Sequence, residues 1–248
     1  MTSFLLAIQF LTVIPLRVKN VNERKIARSM LYFPLAGLLI GMALVGLNAV
    51  LIALHFYELP AAIILVVALA ALTGGMHLDG LSDTFDGLMS GRSREKCLEI
   101  MRDPHSGAMG VISIVCAVLL KTGLVFSLPP QDKPAALIFM CVLSRWSLVE
   151  AMFFFPYARS EGKAKTFTAH MSRRIFFMAT GVTLFIAIML WQLNGLLLFM
   201  LAGFSAWLFS KLISRKIGGI TGDTLGAVCE LNELTILFFI IAGKAFIK

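Results

Sequence analysis

Seven apolar runs constrain this chain more than any other feature. They cover residues at about 30–54, 60–76, 108–127, 134–156, 175–191, 195–212 and 233–247, and a helix needs roughly 20 apolar residues to cross the hydrocarbon of a bilayer. Two of the runs are short. The balance of residues agrees, with 58% hydrophobic, 15% charged and a mean hydropathy of +0.88, against about 25% charged in an ordinary soluble domain. The expected fold is all-α: a polytopic membrane helical bundle of about seven transmembrane helices, forming a single integral-membrane domain over residues 1–248. The opening MTSFLLAIQFLTVIPLR is too short for a comfortable span and has no small-residue cleavage site. It is expected to remain as an N-terminal interfacial or re-entrant helix.

The connections carry the charge. Of 22 Lys and Arg residues, 17 fall before the first run or after the second, fourth and sixth, while the alternate connections HFYELP, PPQDK and WQLN hold one, Lys133. Short loops rich in Lys and Arg stay on the cytoplasmic side. The N-terminus and the basic loops are therefore expected to face the cytoplasm from a cytoplasmic (inner) membrane, with Lys244 and Lys248 falling on the opposite side. The formal charge of +8 does not indicate nucleic acid, because the basic residues lie in loops rather than on one folded face. The four cysteines, Cys97, Cys116, Cys141 and Cys229, form no CxxC pair and read as packing residues. The lipid bilayer is the expected partner, and exposed apolar spans permit a homo-oligomer.

Against this background the stretch GGMHLDGLSDTFDGLMSG, residues 74–91, is unusual. If it is helical, about 100° per residue places Asp79, Asp83 and Asp86 within an arc of about 60°. Leu78, Leu81, Phe85 and Leu88 then form an apolar back. A second stretch, GGITGDTLGAVCELNE at 218–233, repeats the pattern before the final run. There Asp223, Glu230 and Glu233 share an arc of about 80°. Both stretches belong to connections on the same side, so their carboxylates can face one pocket.

A solvated loop whose acids balance neighbouring Arg and Lys is the simpler reading. Against it, a carboxylate drawn into hydrocarbon costs roughly 2.5–3.5 kcal/mol unless a cation or a wet cavity receives it. Oxygen-only donors flanked by glycine suit Mg²⁺ or Mn²⁺ bridging a substrate pyrophosphate. The scattered His55, His105 and His170 offer no zinc spacing, and the acids lack the alternate-position pattern of an EF-hand loop. His77, two residues before Asp79, is a candidate general base or a hydrogen-bonded bystander. Arg102, in the Gly-bearing loop CLEIMRDPHSGAMG, is a candidate phosphate ligand or simply part of the cytoplasmic charge. Arg145 lies inside a span, five residues before Glu150, and either serves a substrate or pairs with that glutamate. Lys121, also within an apolar run, has no assigned role.

The ordered motifs GGMHLDGLSDTFDG, LEIMRDPHSGAMG, the Arg145–Arg159 stretch ending in PYARSEG, and GGITGDTLGAVCELNE resemble those of the cobalamin synthase family, the adenosylcobinamide-GDP ribazoletransferases. FLTVIP and FPLAGLLIG are similar as well, so the resemblance runs from residue 4 to about 235. It implies a multi-pass membrane transferase that joins adenosylcobinamide-GDP to alpha-ribazole or its 5'-phosphate, releases GMP and depends on Mg²⁺. Carried onto this chain, it implies a metal and phosphate site of Asp79, Asp83 and Asp86 with Asp223 and Glu230; in the mechanism then expected, Arg102, Arg145 and Arg159 hold phosphate oxygens, and the catalytic proton goes to His77 or to one carboxylate of the cluster, Asp83. The chain departs from the family pattern with Ser82 in place of Ala and Pro104-His105 in place of Ser-Arg.

Two other classes also fit some of these features. A CDP-alcohol phosphotransferase uses an acidic, Gly-bearing motif, but DGLSDT has Asp83 and Thr84 where that pattern wants Ala and Arg. A transporter would use Lys121, Arg145 and Glu150 as a pathway, yet every acidic motif falls on one face.

Overall fold

The computed structural model describes residues 2–19, 21–162 and 164–245. Lys163, Lys248, the side chain of Lys244 and the end of the last expected span at 246–247 lie outside the described residues. The described chain is helical, with one isolated parallel bridge between Tyr157 and Ile220. In order, the helices are α1 (Thr2–Leu11), α2 (Glu23–Ser29), α3 (Phe33–Ala53), α4 (Glu58–Leu72), α5 (Met76–Met89), α6 (Arg94–Ile100), α7 (Ala108–Ser127), α8 (Lys133–Phe154), α9 (Lys165–Ala169), α10 (Arg173–Ile217) and α11 (Gly222–Ala245).

The starts follow local chemistry. Asn22, Ser93 and Ser172 accept hydrogen bonds from the amides of Lys25, Lys96 and Ile175, and Pro34 and Pro134 sit in the first turns of α3 and α8. Helix α1 has ten residues, roughly 15 Å at about 1.5 Å per residue, and cannot cross a bilayer. Helix α8 is the axis of the bundle, with residues 139–152 all buried. It is enclosed by α3, α10 and α11. Gly37 and Gly41, one turn apart, bring α3 onto α8: a Cβ at Gly41 would lie 2.8 Å from the Ile138 Cα.

By length and composition five helices qualify as spans, or six if the bent pair α4 and α5 counts as one crossing. That pair turns by 87° at Gly74 and Gly75, whose φ angles of 63° and 69° favour glycine. Helix α4 ends at Leu72, and we read α5 as turning out of the span across one end of the bundle.

The 45 residues of α10 would extend about 68 Å if straight, over twice the hydrocarbon thickness. They are not straight. Trp191 (φ −140°, ψ 22°) and Gln192 (φ 50°, ψ −125°) leave the helical region, and a Cβ at Gly195 would overlap the Ala187 carbonyl oxygen. Residues eight apart lie about 12 Å apart along a helix, so this contact means that the chain doubles back. The runs expected at 175–191 and 195–212 are thus two arms of a hairpin. With the bent pair read as one crossing, the described residues carry seven apolar passes.

Gln192 occupies backbone space close to the first central position of a type II′ turn, where glycine is at home. Gln192→Gly is expected to stabilise the protein by about 1 kcal/mol, read as a higher melting temperature in detergent; a lower one would contradict the turn.

The last span departs from expectation. The apolar run suggests a start at 233, but α11 begins at Gly222. Glu230 and Glu233 interrupt the hydrophobic pattern, yet Lys121 and Arg145 neutralise them inside the bundle, so the helix continues through both.

Candidate active site

The expected amphipathic helix forms as α5. Leu81 is buried, and Leu78 and Phe85 are partly buried, against Ala117 of α7 and Ala227, Leu231 and Leu234 of α11. Asp79 is exposed, and Asp83 and Asp86 are half-buried. Two glycines bring α5 and α11 together: Gly80 lies beneath the Asp223 backbone, and a Cβ at Gly226 would come within 3.2 Å of the His77 Cα.

The start of α11 is built by a reciprocal cap. The Thr221 amide donates to Thr224 Oγ1 at 2.7 Å, and the Thr224 amide donates to Thr221 Oγ1 at 3.2 Å. Asp223, between them, projects over α5. The segment after α8 is tied to the same end: the Ala158 amide donates to the Ile220 carbonyl and the Ile220 amide to the Pro156 carbonyl, each at 2.8 Å. This clasp sets Arg159 over Asp223, with Nη1 at 2.7 Å from Oδ2.

The electrostatics show the acids converging. Burial, then Asp79, Asp223 and Asp86, push the Asp83 carboxyl up from the ordinary carboxylate range to about 6, and Arg159 opposes them. Nε and Nη2 of Arg159 are buried without a hydrogen-bond partner among the described residues, although the side chain is 10% exposed at the edge of the acidic face. Arg102 is exposed in the loop before α7. Tyr157, which sequence reasoning passed over inside PYARSEG, stands in the field of Arg159, Asp223 and Arg102.

Three expected site residues go elsewhere. Glu230 is buried against Lys121, with Oε2 2.6 Å from Nζ, rather than beside Asp223. Arg145 is fully buried and donates to Glu233, not to Glu150 or to an open pocket. The reason is helical geometry: five residues put Glu150 on another side of α8, where its Oε2 has no partner among the described residues. His77 is buried with Nδ1 3.6 Å from Cys229 Sγ, behind the acidic face. The salt-bridged Lys121 and Arg145 also leave no string of open charges for a transport pathway.

Asp86 lies on the acidic face but has a second task. Oδ2 accepts from the Gly107 amide at 2.7 Å and Oδ1 from the Gly110 amide at 2.8 Å. It caps α7 from a neighbouring helix, because Gly107 has no side chain to do so. In the Pro104-His105 departure, the His105 ring rests on Asp103 at 2.7 Å in the open.

No three His, Cys, Asp or Glu groups among the described residues form a ready metal cage. Mg²⁺ does not require one, since it keeps several waters and binds through one or two carboxylates together with substrate phosphates. Asp79 and Asp83, one turn apart with Asp223 across from them, fit that demand: all are oxygen donors, and burial followed by the neighbouring carboxylates raises the Asp83 proton affinity, a charge imbalance that a cation would relieve.

Comparisons with known proteins bear on this site. A family model described as Cobalamin-5-phosphate synthase matches residues 3–241. An adenosylcobinamide-GDP ribazoletransferase of Desulforamulus reducens is 37% identical, covering 98% of this chain and 97% of the relative. One from Desulfitobacterium hafniense is 40% identical over 94% and 93%, and one from Acinetobacter baumannii is 35% identical over the whole of both chains. No solved structure matches.

Proposed function

This chain belongs to the cobalamin-5-phosphate synthase family, and we propose that the acidic end of α5 and α11 carries out the transfer for which its relatives are named. It is an adenosylcobinamide-GDP ribazoletransferase embedded in a lipid bilayer, acting late in cobalamin assembly. The acceptor is alpha-ribazole or its 5'-phosphate. Its 3'-hydroxyl oxygen attacks the phosphorus attached to cobinamide, the bond from that phosphorus to the bridging oxygen breaks, and GMP leaves with that oxygen.

Each nearby residue then has a task. Asp79 and Asp83, with Asp223, would hold Mg²⁺, or Mn²⁺ in its place, and the bound cation would offset charge on the two phosphates of the GDP moiety. Arg159, whose Nε and Nη2 are buried without a partner among the described residues while Nη1 stays on Asp223, would turn one of these free nitrogens to a phosphate oxygen when the substrate settles on the acidic face. Arg102 adds a second guanidinium from the loop before α7. The hydroxyl proton passes to a carboxylate of the α5 face, because His77 is enclosed behind it. The positive-inside pattern supports a cytoplasmic-facing site in the inner membrane, where a soluble nucleotide-bearing substrate can reach it.

The observation that carries this reading is the convergence of Asp79, Asp83 and Asp223 with Arg159, a largely buried arginine two of whose three guanidinium nitrogens have no partner among the described residues. The test is GMP release by the purified chain in lipid, given adenosylcobinamide-GDP and alpha-ribazole 5'-phosphate. GMP is expected only with both substrates and Mg²⁺, and not in EDTA. Release in EDTA would remove the metal from the proposal, and none under any condition from well-folded protein would remove the transferase.

A further inference from the structure

The acidic end of α5 is held by two neighbours. Asp86 grips the first amides of α7, and Gly80 with His77 seats α5 against the first turns of α11. The position of Asp79 and Asp83 relative to Asp223 therefore depends on how α7 and α11 stand to one another. Deeper in the bundle, one set of contacts joins those two helices by charge.

Lys121 of α7 donates to Glu230 at 2.6 Å and also to Glu233, both on α11. Arg145 of α8 donates to Glu233 as well. Lys121, Arg145, Glu230 and Glu233 are 3%, 0%, 5% and 0% exposed, so two cations and two anions balance without water. Such a cluster is weak evidence of stability, since a packed apolar replacement is often as stable or more so. What the ions add over apolar contacts is direction: they pair only in one rotation and one depth of α11. Asp223 lies seven residues before Glu230 and within about 20° of it around the helix, two turns nearer the end. Slippage that separated Glu230 from Lys121 would carry Asp223 away from the α5 face.

We infer that Lys121 and Glu230 are positioning residues for the acidic site: they tether α7 to α11, and the two tethered helices clamp α5. The inference rests on the transferase reading only for its activity measurement.

The test uses the full chain in lipid. Lys121→Met alone leaves a buried carboxylate without its cation and should unfold at lower temperature. The apolar pair Lys121→Met/Glu230→Met keeps the remaining Arg145 and Glu233 balanced and is expected to melt near the wild type. A merely structural role would then be satisfied. A tether would not: hydrogen exchange in the peptide carrying Gly107 and Gly110 should speed up by about tenfold or more, and kcat for GMP release should fall by about tenfold with a smaller change in KM. A folded apolar pair with wild-type exchange and wild-type kcat would overturn the inference. Lys121→Arg keeps a cation on both Glu230 and Glu233 and should keep both readouts within about threefold of wild type. A folded arginine variant that lost protection and turnover would overturn it even if the apolar pair did not fold. The exchange measurement needs no substrate, so wild-type protein without GMP release would end the transferase reading and leave the tether to be judged on exchange alone.

Discussion

Asp83→Asn is expected to abolish GMP release, by about 10³-fold or more, while leaving the melting temperature unchanged or raised. The first part follows from its place on α5 between Asp79 and Asp86 and across from Asp223, where, as one of the proposed cation ligands, it would contribute several kcal/mol to the transition state. The second follows from linkage. Burial and the neighbouring carboxylates raise the folded carboxyl from 3.8 to about 6, so between those values the folded protein binds more protons than the unfolded chain. Stability from this group is full below about pH 4 and is lost as pH rises towards 6. At pH 7 the wild type carries an ionised group that the fold disfavours, and asparagine removes it. Activity and stability should part company, and the pair of measurements, GMP release at saturating Mg²⁺ and thermal unfolding at pH 7, separates a functional carboxylate from a structural one. Retained turnover would remove Asp83 from the site.

Arg159→Lys should cost nearly as much as Arg159→Ala, about 30- to 100-fold in kcat/KM, corresponding to one or two charge-assisted hydrogen bonds. Lysine preserves the positive charge, but all its donors radiate from one nitrogen, which cannot span from Asp223 to a phosphate oxygen as the wide, planar guanidinium fork does. The guanidinium serves both, because Nη1 rests on Asp223 at 2.7 Å while Nε and Nη2 remain for substrate. The loss should fall mainly on KM for adenosylcobinamide-GDP if the contact is equally strong in ground and transition states, and on kcat if it strengthens in the transition state. A lysine variant indistinguishable from wild type would show that Arg159 supplies only field, and the proposed fork would be withdrawn.

Some of this molecule was legible along the chain because local periodicity carries it. The apolar runs are long enough to span, and seven carboxyl-bearing or apolar positions of residues 78–88 sort onto opposite faces of one helix, so α5 was readable as an acidic front and an apolar back. The two acidic stretches also meet, because both lie at the same end of the apolar runs and α11 begins where Asp223 stands. One break was readable too, the polar WQLN between two runs that proves to be the turn of the α10 hairpin, whereas the run expected at 60–76 carries on through Gly74 and Gly75, beyond the end of α4 at Leu72.

Partner choice was not legible. Glu230 lies on the same helical face as Asp223, and sequence spacing alone assigns both to one metal site, but Lys121, more than a hundred residues away in the chain, takes Glu230 into the bundle. Arg145 has Glu150 nearby in sequence and Glu233 nearby in space, and it pairs with the latter because five residues along a helix point to different neighbours. Asp86 looks like its two companions until the amides of Gly107 and Gly110 are seen to occupy its oxygens. Helical spacing decides which side chains share a face; which charge meets which depends on how distant helices pack, and in a low-dielectric interior a buried charge must find its partner wherever the fold brings one.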